Sequence, residues 1–154
     1  MSQTQAVYHG GCYCGATRFE VSGKPIISAY CHCTLCQRLT GCPFVHTIHF
    51  DPPAFRWTHD GGEQALELYK VKDKPAKHRY RCKECGACVA SYHAQRDRWS
   101  IWGGQLKRTH ETGQIEGWRE MKATHHIFYG TRMLDVEDGL AKWEGYENTS
   151  TRLG

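Results

Sequence analysis

The chain contains 154 residues with a formal net charge of +4 and nine cysteines, and this length suits a single domain spanning residues 1–154. No apolar run reaches the length of an export signal or a membrane span, so the sequence predicts a soluble, cytoplasmic protein. An odd number of closely spaced cysteines argues against a disulfide framework and favours reduced thiols that bind metal.

Short runs rich in alternating, β-branched and aromatic residues recur along the chain and are separated by Gly, Pro and Asp. They predict strands at 16–21, 44–50, 65–71, 78–82, 99–102 and 125–129. One helical segment is predicted at 34–41, where Leu35 and Leu39 share a face and Gly41 can provide a left-handed end. The pattern is typical of a mainly β fold with one or two short helical turns. The polar tail at 146–154 is predicted to fray.

Eight of the nine cysteines form three clusters, and Cys42 stands alone. The clusters are Cys12 and Cys14; Cys31, Cys33 and Cys36; and Cys82, Cys85 and Cys88. A C-x-x-C whose second cysteine precedes glycine has zinc-knuckle spacing, because the tight turn lets both thiolates reach one ion. The simplest division joins the pairs 12/14 and 82/85 around a structural zinc. The triplet at 31–36 then holds a second zinc with an open fourth position.

The spacing leaves a second division of the cysteines open. Either Cys42 or Cys88 could complete the second site, which would then be closed and would favour a binding module over an enzyme. The alternative, which we favour, is that each of these two cysteines is a small buried apolar residue.

These motifs resemble the glutathione-dependent formaldehyde-activating enzyme family, which also contains centromere protein V. The similarity extends from about residue 8 to about residue 145, with the polar tail beyond it. The segments that carry it are Gly10–Gly15 with Arg18, Cys31–Arg38 with Thr40 and Gly41, Cys82–Gly86, His126–Phe128, Asp138–Leu140 and Lys142–Trp143.

The resemblance implies a β-tent fold of antiparallel sheets around zinc. It also implies two zinc ions: a structural one bound by Cys12, Cys14, Cys82 and Cys85, and a more labile one bound by Cys31, Cys33 and Cys36. The implied activity is the addition of glutathione to formaldehyde, which gives S-hydroxymethylglutathione and is formally a carbon–sulfur lyase reaction in reverse. The implied substrate is therefore glutathione or a glutathione conjugate.

An open three-thiolate zinc can lower the pKa of an incoming thiol and present its thiolate to an electrophile. His32 could move a proton in such a reaction, although a residue between two ligands usually points away from the ion and hydrogen-bonds elsewhere. His125 and His126 point to opposite faces of a strand, so at most one can line a pocket. Trp99 and Trp102 also lie on opposite faces of a strand, which predicts at least one in the core; the other could wall a cleft, but core packing is the default expectation for both.

Glutathione carries two carboxylates, so its pocket needs cations, and the planar fork of arginine suits carboxylates better than lysine does. Arg38, two residues beyond the triplet, is the first candidate for a substrate carboxylate contact. Arg18 and Arg81 follow because each is close in sequence to a predicted zinc ligand.

The alternative function is a non-catalytic zinc module of the centromere protein V type, which binds a macromolecular partner. The only dense basic run is KVKDKPAKHRYR at 70–81, and we interpret it as a solvated loop and strand edge. Seven zinc-bound thiolates would lower the net charge to about +1, so nucleic-acid binding is not favoured. A redox or metal-buffering role for the thiols is a third possibility.

Overall fold

The computed structural model describes residues 4–154, which form eleven strands, two α-helices and four short 3-10 helices. The strands are β1 Val7–Gly11, β2 Arg18–Ser22, β3 Ile27–Cys31, β4 Val45–Phe50, β5 Phe55–Trp57, β6 Leu66–Lys70, β7 Lys77–Cys82, β8 Cys88–His93, β9 Arg98–Trp102, β10 His125–Ile127 and β11 Ala141–Lys142. The helices are α1 Thr34–Thr40 and α2 Trp118–Met121, with 3-10 helices at Pro52–Ala54, Gly62–Ala65, Gly103–Gln105 and Tyr129–Thr131.

The mainly β prediction is confirmed, and each of the six predicted strands overlaps a strand of the structure. The helix α1 also lies where the sequence predicts it, and Gly41 ends it in the left-handed conformation with φ of 72°. Sequence patterning misses β1, β3, β5, β8 and β11. Glycines or cysteines interrupt the alternation in some of these segments, and β5 and β11 are too short to show a period.

The strands divide into a small and a large sheet. The small sheet is antiparallel in the order β1-β2-β5, and the large sheet has the order β11-β10-β3-β4-β9-β8-β7-β6. The sheets are antiparallel, as predicted, except at one edge of the large sheet, where β10 runs parallel to both β3 and β11. The long connection between β9 and β10 returns the chain to the end of the large sheet at which β3 begins, so β10 runs in the same direction as β3. Parallel strands need such a crossover, because a short turn joins only antiparallel strands.

The main core lies between the two sheets. Tyr80, Ala90, Ile101 and Ile48 are paired in one row across β7, β8, β9 and β4, and all four are buried. Phe19, Val21 and Phe55 of the small sheet are buried in the same cluster. Each such side chain contributes about 1.5–3 kcal/mol by leaving water, so this shared core holds the sheets together.

The glycine pair before the first cysteine cluster follows from this packing. A Cβ at Gly10 would lie 2.5 Å from Cζ of Phe19, a fully buried ring of the core. Phe19 is the partner of Gly10 on the neighbouring strand β2 of the small sheet, and its ring lies across a position that only glycine can occupy.

The opposite face of the large sheet is polar. Arg79, Ser91, Ser100 and His49 are paired in register across β7, β8, β9 and β4. Lys77, His93 and Arg98 form the adjacent row on the same face, because side chains alternate with a period of two. Charged and hydroxyl groups thus lie side by side on a rigid surface.

The C-terminal segment pairs with β11 instead of fraying, so that prediction is wrong. The backbone N–H of Lys142 donates to the carbonyl of Gly154 at 2.8 Å, and the N–H of Leu153 donates to the carbonyl of Lys142 at 2.7 Å. Within residues 4–154, no helix has both the length and the apolar character needed to cross a membrane.

Candidate metal centres and cavity

The first cysteine cluster joins the two sheets. Cys12 and Cys14 follow β1 of the small sheet, whereas Cys82 ends β7 of the large sheet and Cys85 lies in the turn before β8. The four sulfur atoms all lie within 4.8 Å of one another. The Sγ atoms of Cys12 and Cys14 are 3.6 Å apart, and those of Cys14 and Cys82 are 3.8 Å apart.

This geometry fits a zinc ion. With zinc–sulfur bonds of about 2.3 Å, a regular tetrahedron places its sulfurs about 3.8 Å apart. Burial alone would raise the pKa of Cys12, but hydrogen bonds from Thr17 outweigh it and lower the pKa to about 6. The backbone N–H of Thr17 donates to Sγ of Cys12 at 3.3 Å. A thiolate is therefore favoured at this position, as a metal ligand requires.

The second cluster is built around the first turn of α1. Cys31 ends β3, Cys33 is the N-cap of α1, and Cys36 lies in the first turn. The Sγ atoms of Cys31 and Cys36 are 3.7 Å apart, and the N–H of Cys36 donates to Sγ of Cys33 at 3.3 Å. Together with the neighbouring thiols of Cys31 and Cys36, this contact lowers the pKa of Cys33.

The second cluster has three members. Within residues 4–154, no fourth Cys, His, Asp or Glu joins Cys31, Cys33 and Cys36 in a group whose ligand atoms lie within 4.8 Å of one another. Cys42 and Cys88 belong to neither cluster. Cys88 is half-buried, but Cys42 is exposed, so the prediction that Cys42 is a buried apolar residue is wrong.

A cavity of about 240 Å³ lies beside the second cluster. Its floor is the polar face of the large sheet, and Cys31, Cys33 and Cys36 form one end. Trp102 adds an aromatic wall, whereas Trp99 packs in the core with its ring centroid 4.2 Å from that of Phe55. The prediction that at least one of the two tryptophans packs in the core is confirmed for Trp99, whereas Trp102, for which core packing was the default expectation, lines the cavity.

Comparison with known proteins bears on this arrangement. The model of the glutathione-dependent formaldehyde-activating enzyme family matches residues 7–131, which include both cysteine clusters. The chain belongs to the glutathione-dependent formaldehyde-activating enzyme family. The match ends before Asp138–Leu140 and Lys142–Trp143, so the resemblance of those segments stays a prediction.

One solved structure has the same fold as this chain. A Rhodobacter sphaeroides protein, known from its crystal structure, has a TM-score of 0.51 and 19% sequence identity. The alignment covers 70% of this chain and 96% of that protein.

Several cations of the cavity come from the basic segment 70–81. The sequence predicts a solvated loop and strand edge there, but Lys74, Lys77 and Arg79 line the cavity, and β7 lies between β6 and β8. Arg96 and Arg98 line it as well. Side-chain alternation in KHR of β7 and in RWS of β9 predicts which residues share a face within each strand. It does not predict that the two faces adjoin, because that depends on the register of the strands in the sheet.

The predicted arginine contacts lie away from this cavity. Arg38 is exposed on α1, and Arg18 lines a separate hollow beside Cys12. Nε of Arg81 donates to the carbonyl of Gly86 at 3.1 Å. The role of Arg38 in substrate binding therefore stays a prediction, whereas Arg79 and Arg98 line the same cavity as the cysteine triplet.

His32 is buried behind the second cluster and does not line the cavity. Its Nε2 is 2.8 Å from Nδ1 of His126, and Nε2 of His126 is 2.8 Å from the Asp138 carboxylate. In the neutral tautomer of His126 whose Nε2–H donates to the carboxylate, Nδ1 of His126 accepts from Nε2 of His32. Burial, together with the proximity of His126, lowers the pKa of His32 to about 4, so the ring is neutral at pH 7.

The other histidine of the pair points elsewhere, as alternation predicts. His125 is buried, and its Nδ1 lies 2.9 Å from Oγ1 of Thr124 and 3.6 Å from a carboxylate oxygen of Glu147. It lines a different hollow from the one beside the cysteine triplet. The sequence could not reveal the chain from His32 to Asp138, because the three residues are far apart in the chain.

Proposed function

We propose that this protein is a zinc-dependent carbon–sulfur lyase or synthase that acts on a glutathione adduct, for example by forming S-hydroxymethylglutathione from glutathione and formaldehyde. One observation carries the proposal: a three-cysteine cluster with no fourth protein ligand among the described residues forms one end of a cavity lined by cations. Membership of the family supports the substrate, since its name specifies glutathione and formaldehyde.

The residues present would hold two zinc ions, with Cys12, Cys14, Cys82 and Cys85 around one and Cys31, Cys33 and Cys36 around the other. When bound at the triplet, zinc supplies a Lewis acid that lowers the pKa of a fourth, incoming thiol. The triplet fixes the position of that sulfur, while Arg79 and Arg98 on the cavity floor orient the substrate carboxylates.

The proposed reaction balances without a further reagent. In the synthase direction a bond forms between the glutathione sulfur and the formaldehyde carbon, the C=O double bond becomes a C–O single bond, and the thiol proton ends on the oxygen. The lyase direction reverses these changes. The His32 ring lies outside the cavity, so we assign it no proton transfer.

The location of the basic residues inside the cavity also favours a small anionic substrate over a macromolecular partner. Three cations of the segment 70–81 line the cavity instead of forming an outer patch. None of the nine cysteines forms a disulfide in the structure, which favours a reducing compartment such as the cytoplasm. We further propose that residues 1–154 act as one zinc domain.

Replacing Cys33 with serine tests the proposal. Cys33→Ser should lower the zinc content from two ions to one per chain and reduce glutathione-dependent formaldehyde consumption by about 10²-fold or more, because the triplet loses a ligand. Zinc content is measured by mass spectrometry, and adduct formation by NMR above the uncatalysed rate.

Cys42→Ser is the matched control, because Cys42 is exposed and outside both clusters. It should retain two zinc ions and full turnover. Undiminished turnover in Cys33→Ser with one zinc lost would remove the triplet from the reaction.

A further inference from the structure

Apart from the cysteine triplet, the charged side chains that line the cavity are all cationic. Five cationic side chains line it, and none of its described lining residues is Asp or Glu. They are Lys74, Lys77, Arg79, Arg96 and Arg98. Within residues 4–154, none of the five forms an ion pair with a carboxylate. A concave site of this kind concentrates a positive potential and favours anions over cations.

Strand register holds much of this charge in place. Lys77 is paired with His93, and His93 with Arg98, so the two cations lie on one row of the sheet. Arg79 lies on the adjacent row, beside Ser91. Because they project from paired strands in the interior of the sheet, the backbone positions of these cations stay close together unless the sheet is disrupted.

The surroundings of the cations offer little compensation. Burial and the neighbouring charges of Lys74 and Arg79 lower the pKa of Lys77, which shows how closely the like charges are placed. Nε of Arg98 has no hydrogen-bond partner among the described residues. Three thiolates around one zinc ion contribute a net charge of about −1, so most of the positive charge is left for a ligand to neutralise.

We propose that this cavity binds anionic thiols the more tightly the more negative charge they carry, so that a thiol with two or more anionic groups and no free ammonium group near them binds more tightly than glutathione. The inference rests on the proposed function, in which a substrate sulfur reaches the triplet, and it narrows the substrate class. Glutathione meets the first condition with two carboxylates but not the second, because its α-ammonium finds no carboxylate on the cavity walls. An N-acylated glutathione, or a mercapto-dicarboxylate, meets both.

The test compares three thiols on the zinc-loaded protein by isothermal titration calorimetry. N-acetylglutathione should bind at least about fivefold more tightly than glutathione, because acylation removes the only cation of the ligand. Glutathione monoethyl ester, which loses one carboxylate, should bind at least about fivefold more weakly than glutathione. Both ratios should shrink as salt concentration rises.

Substitution of the floor cations assigns the preference to the sheet. Lys77→Gln and Arg98→Gln should each bring the affinities of the three thiols closer together. Arg119→Gln, at an exposed arginine of α2 that does not line the cavity, should leave the order unchanged. Circular dichroism and zinc content establish that each variant is folded.

Equal affinities for glutathione and N-acetylglutathione in the wild-type protein would overturn the inference, even if the protein turns over glutathione adducts. Affinity ratios that stay unchanged in both floor variants would overturn it too. Conversely, the expected order without any turnover would leave this binding preference standing while the proposed reaction fails.

Discussion

At the scale of single residues, the chain His32–His126–Asp138 is the least expected feature. His32 sits between two cysteines of the triplet, and its ring is fixed by a hydrogen bond to His126, which the Asp138 carboxylate orients in turn. The carbonyl of His32 accepts from Nε2 of Gln37 at 2.7 Å and from Oγ1 of Thr131 at 3.0 Å. Both ends of the residue are thus held, which positions the cysteines on either side.

His126→Leu should therefore weaken the second metal site. Loss of both side-chain hydrogen bonds leaves Nε2 of His32 buried without a partner and should lower the free energy of unfolding by about 2–3 kcal/mol. Zinc should also leave the triplet faster, which a chromophoric chelator measures. Asp138→Asn, which still offers an acceptor, should have a smaller effect, and unchanged zinc release in His126→Leu would show that the ring does not position the triplet.

At the scale of elements, β4 packs closely against the 3-10 helix at Gly103–Gln105. A Cβ at Gly103 would lie 1.9 Å from Nδ1 of His46. The His46 ring is held in place, because its Nε2 is 2.8 Å from Oγ of Ser28 and its ring packs edge-on against Trp118. Overpacking at this contact cannot be relieved by a simple rotation of the ring.

Gly103→Ala should accordingly destabilise the protein by about 1–3 kcal/mol, measured by urea unfolding of the zinc-loaded protein. Gly104→Ala is the matched control, since a Cβ there would meet nothing within 4 Å. Equal stability of the two variants would contradict the close packing of His46 against the 3-10 helix.

Elements also show what sequence patterning can and cannot predict. The spacing of the cysteines predicts both ligand groups, because short motifs bring their own ligands together by local geometry. The cavity floor escapes prediction because Arg79 and Arg98 meet only through the register of three strands. The parallel pairing of β10 with β3 escapes for the same reason, since it depends on a contact between distant segments.

At the scale of the whole molecule, the two sheets share a core and a cysteine cluster, while buried histidines make the fold sensitive to acid. Burial lowers the pKa of His46 to about 4, against 6.5 for an unperturbed histidine. Below pH 6.5 the unfolded chain binds a proton that the folded protein excludes, so stability falls as the pH decreases from about 6.5 towards about 4.

His46→Gln should reduce this dependence on pH. One such histidine contributes a slope of up to about 1.4 kcal/mol per pH unit in that interval, and glutamine does not titrate. Urea unfolding of the zinc-loaded wild type and variant at several pH values between 6.5 and 4.5 measures the difference in slope. Because both proteins lose zinc from the same cysteines, parallel curves would contradict a neutral, buried His46.

The most direct measurement of the central claim, that the triplet leaves a fourth position for a substrate sulfur, uses cobalt in place of zinc. Titration with glutathione should change the visible absorption of the cobalt protein, because an additional sulfur joins three thiolates. S-methylglutathione, which has no free thiol, should leave the spectrum almost unchanged. A spectrum that stays constant throughout the glutathione titration would contradict the account.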